Sequence, residues 1–104
     1  MKTLADLKRY AKEFKWSMIE TNSPFFQYGN IPEFLKSFRK VAKVQSNRLA
    51  FETIKDGKIS ESWADFPKSS NLQITPNWFS NNCEFFVKFT QDTGSYLLYH
   101  LIPA

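Results

Sequence analysis

The chain has 104 residues, 42% apolar and 17% aromatic, with only three Gly and five Pro. That excludes a disordered, linker-like or collagenous chain and is enough for one domain, residues 1–104, with a core that needs no staple. One Cys and one His exclude a disulfide framework within the monomer, a multi-Cys metal site and most His-based metal or triad chemistry, and the net charge of +4 is mildly basic. No metal or other cofactor is expected.

Charge is unevenly placed. Residues 1–48 carry ten basic and four acidic side chains, and residues 49–104 carry four basic and six acidic. The stretch from Phe34 to Phe51 is free of acids and holds Lys36, Arg39, Lys40, Lys43 and Arg48. No run approaches the ~18 apolar residues of a spanning helix. Lys2, Asp6, Lys8 and Arg9 do not read as a signal peptide, and no terminal lipidation motif is seen, so no membrane association is expected. A free thiol without an export signal fits a reducing cytoplasm.

Residues 3–14 read as a helix, with Thr3 as N-cap and Asp6 in the capping-box position. Leu4, Leu7, Tyr10, Ala11 and Phe14 form an apolar face. Lys2, Lys8, Arg9, Lys12 and Lys15 share the opposite flank, bordered by Asp6 and Glu13. Residues 15–21 turn β-like, with Trp16, Met18 and Glu20 placed on one side.

Residues 22–32 form a loop punctuated by Pro24, Gly29 and Pro32, and Pro32 suits the start of a helical turn to Phe38. Phe25, Phe26 and Tyr28 are read first as core that plugs a sheet edge, and otherwise as an interaction patch. From Arg39 the pattern is strand-like through RKVAKVQ, then a turn at Ser46-Asn47, then RLAFETI.

Asp56-Gly57 predicts a hairpin joining residues 48–54 to 58–64. A two-residue loop would set Glu52 opposite Glu61 and Lys55 opposite Lys58, an unfavourable pairing. A three-residue loop pairs Leu49 with Trp63 and Thr53 with Ile59. It gathers Leu49, Phe51, Ile59 and Trp63 on one face and is the expected register. Residues 71–75, 83–90 and 95–102 are further strands, and the last, apolar on both faces, reads as interior.

The fold expected is α+β: an N-terminal amphipathic helix on a twisted antiparallel sheet of five to seven strands, with partial closure toward a small barrel as a further expectation.

Gly29, Gly57 and Gly94 are far apart, so neither a phosphate loop nor a dinucleotide fingerprint is present. Cys83 with His100 as base is the sole nucleophilic pairing on offer, against a plain reading of both as buried structural residues. Glu52, Glu61, Asp65 and Glu84 read as solvated strand positions rather than an acid–base pair. The remaining candidates are cations for phosphates or an acidic partner: Lys8, Arg9, Lys12, Lys15, Lys36, Arg39, Lys40, Lys43 and Arg48. Phe25, Phe26 and Tyr28 would serve as stacking or contact aromatics. Their alternative is a solvated helix face and an edge strand protected by lysines.

The run RKVAKVQSNRLAFET from Arg39, followed by Asp56-Gly57 and by SWADFPKSS from Ser62, resembles small uncharacterised proteins encoded by phages and prophages of Gram-positive bacteria. There a strand reading R-x-V-x-x-V-Q-S-N leads into a hairpin and an S-W-x-x-F-P-K segment. The resemblance covers about a third of the chain and implies a mobile-element accessory context without a catalytic residue. Together these readings point to a non-enzymatic binding protein that engages a host protein or nucleic acid through its basic N-terminal half, an inhibitor of a host defence enzyme being one version. A non-specific nucleic-acid module, a homo-oligomeric structural protein and a Cys83-dependent enzyme are the rivals.

Overall fold

Residues 1–26 and 29–104 are described by a computed structural model. The expected contact residue Tyr28 lies outside the described residues.

The N-terminal cap forms as its sequence dictates. Thr3 Oγ1 accepts from the Asp6 N–H at 3.1 Å, and Asp6 Oδ2 accepts the backbone N–H groups of Lys2 and Thr3 at 2.9 and 3.3 Å. Those two N–H donors hold the Asp6 carboxyl below its ordinary range. The helix α1 runs Leu4–Tyr10 and tightens to a 3₁₀ turn over Ala11–Glu13, shorter than the expected 3–14. The Ala11 carbonyl explains the stop. It accepts the Phe14 N–H and the Trp16 indole N–H (3.1 Å), which turns the chain straight into a strand.

The strands are β1 (Phe14–Thr21), β2 (Arg39–Val44), β3 (Arg48–Lys55), β4 (Lys58–Asp65), β5 (Leu72–Pro76), β6 (Phe85–Thr90) and β7 (Tyr96–Pro103), with a short helix α2 (Glu33–Lys36) after Pro32. They form a seven-stranded sheet ordered β4-β3-β2-β1-β7-β6-β5, every neighbouring pair antiparallel. The α+β expectation holds, and so does an interior last strand, since β7 lies between β1 and β6. The sheet is open, so closure toward a barrel is corrected: β4 and β5 are its free edges. The lysine-bearing β2 is therefore an inner strand, not an edge.

One face of the sheet carries the core. Trp16 is fully buried and meets Phe51, Phe89 and Tyr99 edge-on at 5.5, 6.2 and 5.4 Å between ring centres. Leu7 and Ala11 from the N-terminal helix and Leu35 from α2 close over this cluster.

Two registers differ from expectation. Met18 pairs with Tyr99 but Glu20 pairs with Leu98, so Ile19 is an extra residue in a bulge. The bulge reverses the alternation. Glu20 leaves the Trp16 face and its carboxylate takes the Tyr96 hydroxyl, which raises the pKa of that phenol.

The hairpin turns in two residues. Asp56 and Gly57 both hold positive φ (53° and 75°), and Lys55 pairs with Lys58, Glu52 with Glu61 and Leu49 with Ala64. The three-residue expectation is thus overturned. Mirror-image turns match strand twist, and a like-charge pair costs only about 0.2–1 kcal/mol. Lys43 on β2 also reaches Glu61 at 3.3 Å and relieves one of the pairs. The observed register sends Ile59 and Trp63 to the face opposite Leu49 and Phe51, so Ile59 is exposed. It brings Ser60 and Ser62 to the core side instead.

Candidate binding surfaces

The nine expected cations do not share one surface role. Lys8 donates to the Ser46 carbonyl and stands 5.3 Å from the centre of the Phe66 ring. Arg9 lies against Tyr10, and Lys12 is exposed beside it on the 3₁₀ turn. Lys15 and Lys40 are direct partners across β1 and β2, and Glu52 lines the same shallow cleft. Lys36 pairs with Glu33 at 3.7 Å, and Lys43 with Glu61. Arg48 bonds Gln45 and stacks over Trp63 at 4.2 Å, two residues from its strand partner Asp65.

Arg39 departs furthest from a surface role. It shares the alternation of Val41, so it faces the core and is 7% exposed. Its Nη1 donates to Ser62 Oγ at 2.7 Å and Thr53 Oγ1 at 3.5 Å, and the guanidinium lies 4.4 Å over the Phe51 ring. Nε is buried without a hydrogen-bond partner. Burial lowers the Arg39 pKa, and the fully buried Tyr99 hydroxyl nearby is pushed up by the same loss of water. The period-two pattern Arg39-x-Val41 could have shown this placement in the sequence.

The aromatic loop divides. Phe26 packs partly against the core, whereas Phe25 is 92% exposed, which corrects the core reading for that ring. Ser23 Oγ accepts the Phe25 N–H in a turn after Pro24, and the turn directs the ring outward.

A feature passed over in the sequence lies at the far end of the sheet. Trp78 and Phe79, adjacent in the turn between β5 and β6, are 82% and 103% exposed. The loop beneath them is pinned. Asn77 Oδ1 accepts the Phe79 N–H, the Asn77 N–H donates to the Glu84 carbonyl, and Ser80 Oγ donates to Glu84 Oε2 at 2.6 Å. Glu84 Oε1 meets His100 Nε2 at 2.5 Å, and the imidazole stacks on Phe86 at 4.9 Å. Bonds from Ser80, His100 and Asn77 hold the Glu84 carboxyl below its ordinary range. The sequence signal was two large rings between Pro76-Asn77 and Ser80-Asn81-Asn82, outside any alternating segment.

That network bears on the Cys83 pairing. Cys83 is exposed, at φ 54°, before β6 begins rather than buried at its start. The partner that His100 takes is Glu84, and Glu84 stands between the imidazole and the Ser80 hydroxyl. Among the described residues no hydrogen bond joins Cys83 to His100. Among the described residues no group of three or more His, Cys, Asp or Glu is placed to hold a metal ion. No helix of the described residues is long and apolar enough to cross a membrane.

Comparison with protein-family models, curated proteins and solved structures finds no match in any of the three.

Proposed function

We propose that the chain is a non-enzymatic binding protein whose partner is another protein, gripped by the exposed Trp78 and Phe79. The observation that carries this reading is their combination of exposure and fixed backbone. A loop whose backbone is already pinned loses little backbone freedom on docking, and Trp is among the residues that dominate interface energies. Phe25 is a second such ring, exposed on a separate loop.

Charge supports a protein over a nucleic acid. A polyanion track needs a run of free cations along one groove. Here Lys36 and Lys43 have acidic partners, Arg39 is buried, and Glu52 lines one cleft with Lys15 and Lys40. Arg9, Lys12, Lys15 and Lys40 then act as steering charges for an acidic partner surface. The phage-like segments from Arg39 and Ser62 supply the context: an accessory protein of a mobile element, acting on a host protein in the cytoplasm.

The test is capture from a Gram-positive host lysate on the immobilised chain, with and without nuclease, at two salt concentrations. A protein retained after nuclease treatment and at the higher salt is expected. Recovery that vanishes with nuclease and falls steeply with salt overturns the reading in favour of nucleic acid.

A further inference from the structure

Arg39 has no electrostatic reason to be where it is. A guanidinium taken out of water is normally matched by a carboxylate, because leaving it unmatched is strongly unfavourable. Among the described residues, the ion pairs that form involve Lys36, Lys43, Lys68 and His100, and Arg39 meets only the hydroxyls of Thr53 and Ser62. Those hydroxyls engage Nη1 and leave Nε unpartnered. The ring of Phe51 offers a weak counterpart at best.

The guanidinium also lines a cleft of about 470 Å³ between the 23–26 turn, α2 and the free edge strand β4. Its walls include Phe25, Phe26 and Phe34, with Ser62 beside Arg39, and Trp63 borders it from the edge strand with its ring under Arg48 on the other face. Asp65 is the acid on its rim, opposite Arg48 in the strand register. An apolar cleft with a few convergent polar groups is the usual form of a small-ligand site. Among the described residues, Arg39 is the cation of this one.

We propose that this cleft binds a carboxylate attached to an aromatic or aliphatic body, with Arg39 as the anion's partner and the rings of Phe25, Phe26 and Phe34 around the body. One guanidinium balances a singly charged planar carboxylate, which would reach it through the Nη groups because Nε is sealed from solvent. A phosphate dianion would bring a second charge into a site with one cation. The carboxylate comes from a free small acid or from the C-terminus of a peptide, and the chemistry of recognition is the same. The proposal is independent of Trp78 and Phe79, which lie on another loop.

The probes are 3-phenylpropionate, its neutral counterpart 3-phenylpropanol, a tetrapeptide ending in Phe with a free or an amidated C-terminus, and inorganic phosphate. Binding is read by calorimetry and by tryptophan fluorescence in a Trp78→Phe background, where Trp16 and Trp63 remain. The account expects saturable binding of 3-phenylpropionate or of the free-acid peptide, and whichever binds identifies the source. It expects a loss of about tenfold or more with the alcohol or the amide. Arg39→Met should abolish the preference for the acid. Arg39→Lys, which keeps the charge without the fork, should weaken it and serves if Arg39→Met fails to fold. No binding of either acid, equal binding of acid and neutral forms, or tighter binding of phosphate overturns the proposal.

Discussion

Arg39 Nη1 donates to Ser62 Oγ across 2.7 Å, tying the inner strand β2 to the free edge strand β4 over the intervening β3. This bond exists because of the two-residue hairpin loop, which sends Ser62 to the core side opposite Phe51. Ser62→Ala removes the shorter of the two bonds to a buried charge. It should lower stability by about 1.5–3 kcal/mol. Arg39→Met removes the charge itself and fills similar space, so it should be near neutral or stabilising. Urea unfolding of both variants checks the order. A more stable Ser62→Ala than Arg39→Met would mean that Arg39 is held for stability alone.

Gly57 holds φ 75°, and a Cβ built there meets nothing within 4 Å. The cost of Gly57→Ala is therefore conformational, about 1–2 kcal/mol. Asp56→Asn should be neutral or slightly stabilising, since Asn suits positive φ at the first turn position. Thermal melts of the two variants should move in these different directions.

Much of the architecture was legible in the sequence. Thr3 with Asp6 marked the helix start, and Asp56-Gly57 marked the hairpin. The apolar run at residues 95–102 marked an inner strand. Its failures have local causes. Like-charge repulsion at Glu52 and Glu61 argues for a longer loop, but turn geometry prevails because Lys43 from a third strand relieves that repulsion. The Ile19 bulge leaves no compositional mark, so Glu20 was placed on the wrong face. Arg39 reads as a surface cation by its charge, whereas its alternation with Val41 puts it in the core. Trp78 and Phe79 were passed over because aromatic content suggests core, while nothing in a single chain says which turn stays uncovered.

The Glu84 carboxyl has a depressed pKa in the folded chain because Ser80, His100 and Asn77 bond it. A depressed carboxylate stabilises the fold above its unfolded pKa, and the contribution is lost as pH falls through the folded value. Glu84→Gln cannot titrate. Its stability should therefore fall less steeply than that of the wild type as pH drops below 4.5, the ordinary value of this group. Urea midpoints followed down the acid range report the two slopes, and parallel slopes would remove Glu84 from the account.

Trp78 and Phe79, exposed on a pinned loop, are proposed to grip a protein partner. Trp78→Ser and Phe79→Ser combined change side chains that are 82% and 103% exposed, so the melting temperature should stay within the small range typical of surface substitutions, about 0.5 kcal/mol each. The direct measurement is recovery of the nuclease-resistant partner by this double variant beside the wild type, with both shown to be folded. At least a tenfold fall in recovery is predicted, in keeping with about 2 kcal/mol or more for an interface hot spot. Undiminished recovery by the folded double variant would contradict the claim.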